Sequence, residues 1–418
     1  MHSLIEIGVH ILTVNLIVLL SPLFWLLVGI IAYQYVKMAR LKELLFGLRD
    51  RSALRMTVIS LILGVAGGWL GSAVTVLLGI TVPEGGYLAL LAVAVLLMTF
   101  HPRFLCFAYA GGILSLASLI FGYPKISVPH LMALVAVLHL IEGMLIRLSG
   151  HLDALPVYTR NQKDQPVGGF NLQKFWPIPL VILSVSQGGE VSTGIAMPDW
   201  WPLLNPPVAG RSEDLMFSLM PAVVGLGYGE LALTSTVRRR SQVSARNLAI
   251  YSLGLIALSL AASYSVAWQW LAALYAPIGH EVVVALAHHK EMGEPPLFVP
   301  PSRGMMLLDV VRPSPAARAG LQSGDILLEV AGIAVNSPRQ VEEVLNQVSG
   351  PVGIRYWRKR EGQDREAGDT RSTRAYRVGR ESLGIIPVPG YGGEQLMEFK
   401  TPGYWDGLWR WIKRKAAG

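Results

Sequence analysis

Gly304-Met-Met-Leu-Leu-Asp-Val-Val311 and, just beyond it, Ser314-Pro-Ala-Ala-Arg-Ala-Gly-Leu-Gln-Ser-Gly-Asp-Ile-Leu-Leu328 decide how the C-terminal part of this chain is read. The first is a short apolar run that ends in strand formers. Asp325-Ile-Leu-Leu-Glu-Val330 is a second, bounded by Gly324 and Gly332. Between them, residues 315–321 fit one short helical turn closed by Gly320. Ser337-Pro-Arg-Gln340 then reads as a helix start: Ser337 caps, Pro338 takes the first helical position where its missing N–H costs nothing, and Gln340 completes a capping box. Val341, Val344, Leu345 and Val348 fall on one face of that helix. A helix lying beside the edge of the 304–311 strand leaves a groove that accepts an extended peptide as an added strand. A small α+β fold with a merely solvated edge has the same local pattern.

The Ser-Pro-Ala-Ala…Ala-Gly-Leu…Gly-Asp-Ile run resembles PDZ domains, here over residues 293–390. The resemblance implies that Gly304, Met305, Met306 and Leu307 pair with an incoming strand while Val341, Val344 and Leu345 line the opposite wall. Arg303 sits where such a domain presents N–H groups or charge to a terminal carboxylate. Two further strands, 353–357 and 374–378, flank a highly charged loop at 358–371.

Upstream, composition sets the class. Of 418 residues 52% are hydrophobic and 15% charged, with a mean hydropathy of +0.44, so a single water-soluble core is not the natural explanation. Repeated apolar runs approach the ~20 residues needed to cross a bilayer. Candidate spans fall at about 57–80, 87–100, 104–122, 129–147, 177–197, 214–236 and 247–267. Residues 10–35 make either one span kinked at Pro22 or two short ones, and 268–289 is a poor, interrupted candidate. The fold class is therefore an α-helical polytopic membrane domain of about seven to nine spans, residues 1–292, followed by the small α+β PDZ domain and an aromatic, basic tail at 391–418. No cleavable signal is evident.

The basic segments 37–55, 101–103, 147–174 and 238–246 fall on one side when spans are counted in pairs, which makes that side the cytoplasm. The PDZ domain joins them there if 268–289 crosses. The tail Tyr404-Trp-Asp-Gly-Leu-Trp-Arg-Trp-Ile-Lys-Arg-Lys415 suits an interfacial segment on anionic lipids. The net charge of +8 is spread through loops and calls for no nucleic acid.

Polar residues inside apolar spans are functional by default. His139 and Glu142 share a helix face and Glu230 sits in a later span; an interhelical hydrogen bond or ion pair explains them more simply than a transport path. Proteolytic chemistry finds no complete motif. His280-Glu281 is followed by Val284 where a zinc-binding His-Glu-x-x-His needs its second His, and Cys106 is the only cysteine. Gly227-Tyr-Gly229 precedes Glu230 rather than an aspartate, and no Gly-x-Ser-x-Gly elbow occurs. No catalytic residue, metal ligand or cofactor is expected.

Val128-Pro-His-Leu-Met-Ala-Leu134, Leu138-His-Leu-Ile-Glu142, Gly168-Gly-Phe-Asn-Leu-Gln-Lys-Phe-Trp-Pro-Ile-Pro179, Met197-Pro-Asp-Trp-Trp-Pro-Leu203 and Ser382-Leu-Gly-Ile-Ile-Pro-Val-Pro389 together resemble the MinJ family of cell-division topological determinants in Gram-positive rods. The resemblance implies a non-catalytic scaffold at septa and poles that bridges a DivIVA-type polar protein to MinD and hence MinC. The rival expectation is a regulator or substrate-tethering component of a membrane protease system.

Overall fold

The structure, a computed structural model, describes residues 2–47, 52–161, 164–187, 197, 200–207, 215–360, 368–378 and 381–390. The 391–418 tail and residues 361–367 of the charged loop lie outside the described residues. A helical region with several apolar helices precedes a C-terminal PDZ-like sheet domain.

The N-terminal apolar run is two helices, α1 (His2–Leu20) and α2 (Pro22–Phe46). Pro22 occupies the first turn of α2 and Ser21 before it is extended, as a residue preceding proline prefers. α3 (Ser52–Leu78), α4 (Glu84–Phe100), α5 (Phe107–Phe121) and α6 (Val128–Ser149) follow. α6 is apolar all round and sits at the centre, with residues from Val128 to Leu138 buried without interruption. After three strands come α7 (Val237–Ala262) and α8 (Val266–Gly293), the latter continuous through Pro277. Among the described residues α2, α3, α6, α7 and α8 are long and apolar enough to cross a bilayer, and three shorter apolar helices lie at Ile5–Leu20, Gly85–Phe100 and Phe107–Phe121.

Two expected helical spans are strands instead. β1 (Leu155–Arg160), β2 (Pro166–Gln187) and β3 (Leu215–Ala232) form an antiparallel sheet in that order, and β2 and β3 replace the spans placed at 177–197 and 214–236. Pro177 and Pro179 are the physical reason in β2, since a proline in a helix interior removes a hydrogen bond and clashes with the preceding turn. In β3, Pro221 and the alternating Gly225, Gly227 and Gly229 act against a helix in the same way.

β1 pairs with β2 only over 166–171, so beyond 171 that edge of β2 has no strand beside it and is met by α2, α3 and, at Leu183, an isolated bridge from Thr81. On that edge the Phe175 N–H donates to the Tyr35 hydroxyl at 3.2 Å, Pro177 and Pro179 carry no N–H, and the Val181 N–H donates to Ser72 Oγ at 2.8 Å. No donor at these four positions is left over. α3 fits against the edge because Gly64 and Gly68 face it: a Cβ at either would collide with the carbonyl oxygens of Pro177 and Pro179. Small residues one turn apart let the backbones touch, as between helices in a membrane.

The C-terminal domain comprises β4 (Met305–Val310), α9 (Pro315–Arg318), β5 (Ile326–Val330), β6 (Ile333–Ala334), α10 (Pro338–Gln347), β7 (Val352–Lys359), β8 (Gly368–Ala375) and β9 (Ile385–Pro387). The sheet order is β8-β7-β5-β4-β9, with β6 on β5. β8 starts six residues before the expected 374–378 strand, reaching into the charged loop. One face of the sheet closes over Leu307, Leu327, Val330 and Ile354; on the other, Leu308, Ile386 and Val388 join the core of the helical region. The Tyr158 hydroxyl donates to the Pro387 carbonyl at 2.8 Å and Lys42 Nζ lies 3.3 Å from Asp309 Oδ2, so the domain is seated on β1 and the end of α2.

Candidate functional site

The PDZ-like module is organised around Ser314 to Asp325. Ser314 Oγ accepts from the Ala317 N–H at 3.1 Å and caps α9. Gly320 and Gly324 take φ of +81° and +89°, conformations that a Cβ would strain, and bring the chain back for β5. The buried Asp325 carboxylate accepts two hydrogen bonds from Arg358, Nε and Nη2 both at 2.7 Å, and one from the Gln322 N–H at 2.8 Å. These bonds to Asp325 raise the Arg358 guanidinium further above its ordinary range. α10 begins as expected, with Ser337 Oγ accepting from the Gln340 N–H at 3.4 Å. Gln340 Oε1, however, accepts from the Asn336 N–H, one residue before the cap, instead of from Ser337.

The expected peptide-receiving residues require correction. Gly304, Met305, Met306 and Leu307 do line β4, but β4 is an inner strand whose edges are taken by β5 and β9. The Gly304 N–H donates to Asn336 Oδ1, Met305 and Met306 register with Leu327 and Ile326, and Met306 O accepts from the Val388 N–H. Leu307 O accepts from the Gly324 N–H and its own N–H donates to Asp325 O. Their main-chain groups are therefore used within the domain. Arg303 is exposed beside them. Val341, Val344 and Leu345 are on one helix face as expected, but all three are buried in the domain core. The end strand beside α10 is β9, and Ile385 packs against the same core as those three residues. The signal for it was Ser382-Leu-Gly-Ile-Ile386, a stretch too short to register as a strand by pattern.

The buried polar residues separate into two groups. Glu230 lies on β3, with Oε2 2.7 Å from Arg240 Nε and accepting from Ser244 Oγ at 2.5 Å. Arg240 also reaches Glu291 at 3.2 Å, which accepts from the Leu233 and Thr234 N–H groups. This ties the end of β3 to the start of α7 and the end of α8, the packing role that sequence favoured. In the second group His139 meets Cys106 and His280: Cys106 Sγ is 3.0 Å from His139 Nε2 and 3.6 Å from His280 Nε2. Glu281 turns away to Arg103 and to the Tyr109 hydroxyl. No spacing along a single helix marks this group, whose members come from the α5 cap, α6 and α8.

Comparison with known proteins agrees with the two-part architecture. A PDZ domain family model matches residues 308–354. The chain is 25% identical over 363 residues, 82% of its own length and 87% of the other's, to the cell division topological determinant MinJ of Bacillus subtilis (strain 168). It is 41% identical over 64 residues, 15% of each chain, to the putative serine protease HhoB of Synechocystis sp.. Among solved structures, the PDZ domain of an SdrC-like protein from Listeria monocytogenes matches with 21% identity, covering 21% of this chain and 90% of that one at a TM-score of 0.17.

Proposed function

We propose that this protein is a non-catalytic, multi-pass membrane scaffold in division-site selection, acting as MinJ is named to act. The observation that carries this reading is the length of the MinJ match, which runs through 82% of the chain and so involves the helical region as well as the PDZ module. In the proposed arrangement the PDZ domain and the 391–418 tail lie in the cytoplasm, the tail against anionic lipid, at septa and poles. The Lys42–Asp309 contact supports this, since it joins the basic C-terminal part of α2 to the PDZ domain. A DivIVA-type polar protein and MinD are the proposed partners. Peptide capture, where it occurs, uses the outer edge of β9 beside α10, because β4 is filled on both sides.

The test is imaging of a fluorescent fusion in dividing rods lacking their own MinJ, with division-site placement scored in parallel. Septal and polar foci with restored placement are expected. Uniform membrane fluorescence without rescue would overturn the scaffold reading. The alternative, a substrate-tethering part of a membrane protease system, has the HhoB match behind it, which covers only 15% of that protein. It predicts a stabilised membrane substrate in deletion cells.

A further inference from the structure

We propose that Cys106, His139 and His280 bind a zinc(II) ion that ties the start of α5 to α6 and α8. The three donor atoms all lie within 4.8 Å of one another, and they come from three separate elements. Tetrahedral zinc, with its bonds of about 2.3 Å to sulfur and about 2.0–2.1 Å to nitrogen, holds sulfur and nitrogen about 3.6 Å apart. Cys106 and His280 already stand at 3.6 Å. The 3.0 Å pair of Cys106 and His139 has to open by about 0.5 Å to meet that same geometry, within reach of a small side-chain rotation.

The nitrogens are prepared as ligands are. His139 Nδ1 donates to the Val135 carbonyl at 2.7 Å, which places the proton there and leaves the Nε2 lone pair aimed at Cys106. His280 Nδ1 is buried with no hydrogen-bond partner among the described residues, and its Nε2 meets only the Cys106 sulfur there, at 3.6 Å. His130 provides the contrast: its Nδ1 accepts from the Thr81 N–H at 2.9 Å and its Nε2 donates to the Asn205 carbonyl at 2.8 Å, a fully satisfied structural histidine.

The sulfur is prepared too. Cys106 caps α5 and its Sγ accepts from the Ala108 N–H at 3.4 Å, a bond that a metal-bound thiolate can keep. Tyr109 and Tyr251 stand edge-on to His280, with ring centres 5.4 and 5.8 Å away, beside a group in which His139 is buried and Cys106 and His280 are partly buried. Zinc with one thiolate leaves a single positive charge. Glu142 lies three residues beyond His139 on the same face of α6. A thiolate and two imidazoles select zinc among abundant divalent ions over calcium or magnesium, which take oxygen. Binding displaces the Cys106 proton, so affinity falls as pH is lowered.

The experiment uses the full chain in detergent, equilibrated with zinc chloride or cobalt(II) chloride, freed of excess ion, and assayed for bound metal and for visible and near-ultraviolet absorption. Wild type is expected to retain about one ion per chain and, with cobalt, to show a thiolate-to-cobalt charge-transfer band. Cys106→Ser is expected to lose that band and at least about tenfold in affinity. The exposed His289→Ala change keeps both. Wild type with no charge-transfer band overturns the proposal whatever the variants do, and so does a Cys106→Ser protein that keeps its metal.

Discussion

β2 and β9 each present an edge with no strand beside it, and the protein closes the two to different extents. Along β2 from 172 to 187 the open edge is closed chemically: two prolines bring no donor, Ser72 and Tyr35 hydroxyls take the donors on either side, and a glycine-faced helix lies on the carbonyls. Along β9 the closure is slighter: Pro387 carries no N–H and its carbonyl accepts from the Tyr158 hydroxyl at 2.8 Å, but no helix is fitted on it by glycines and no further strand pairs beyond it among the described residues. An edge inside an apolar bundle has no water to fall back on, so every donor needs a partner or must be absent. An edge at the rim of a small domain can leave its groups to solvent until a partner strand arrives. The first edge is thus closed along its length by helices, the second only at Pro387.

The largest break in that comparison is Gly68→Val. The new side chain meets the Pro179 carbonyl, a backbone atom that cannot swing aside, so α3 must leave β2 and with it the seal over the edge. The expected cost exceeds about 4 kcal/mol, read as loss of monodisperse protein in detergent. A Gly68→Val protein that elutes and melts like wild type would show that α3 does not lie on this edge. Gly353, which sits in β7 with nothing within 4 Å of an added Cβ, is the control: Gly353→Val should be tolerated.

Next in size is Asp325→Ala, which acts on the other sheet alone. It strands the Arg358 guanidinium and the Gln322 N–H at a site where the aspartate is 1% exposed. Breaking a buried pair costs about 3–5 kcal/mol, and the lower end applies because Arg358 retains some access to water. Hydrogen-exchange mass spectrometry should show faster exchange in β5 and β7 with β2 unchanged. Equal acceleration in β2 would mean that the two sheets unfold together.

How much of this could be read from the chain follows the same division. The PDZ module was legible because its signals are local: short alternating runs, glycines at turns, and Ser314 and Ser337 as caps. β9 was not, being three residues long and fixed only by β4 far away in sequence. The β2–β3 pair lacks a hydropathy period to separate it from a helix: β2 is apolar over most of its length, and in β3, where burial alternates from Ala222 to Gly229, the exposed positions are glycines rather than polar residues. Pro177 and Pro179 carried the information, but hydropathy averaging over a span-length window hides them. The Cys106, His139 and His280 group is invisible to motif spacing for a different reason: it exists only once α5, α6 and α8 are packed.

The finest test is a matched pair, Ser72→Ala and Ser337→Ala, in which the same hydroxyl is removed from each region. Ser337 Oγ caps α10 at 3.4 Å from the Gln340 N–H, at a position open to water, which takes over when the hydroxyl goes. Loss of such a cap costs about 0.5–1 kcal/mol. Ser72 Oγ is fully buried; it accepts from the Val181 N–H and from Asn15 Nδ2 at 3.2 Å while donating to the Gly68 carbonyl at 2.7 Å. Its removal leaves the buried Val181 N–H unpaired and takes one of two hydrogen bonds from Asn15 Nδ2, which keeps the Ile11 carbonyl at 3.0 Å, worth about 1–3 kcal/mol, with only a small cavity in return. Local opening energies from native-state hydrogen exchange at Val181 and at Gln340 give both numbers in one protein. The expected order is Ser72→Ala above Ser337→Ala by about 1 kcal/mol or more. An equal or reversed order would mean that water reaches the α3 edge of β2, and that its prolines and glycines have some reason other than sealing it.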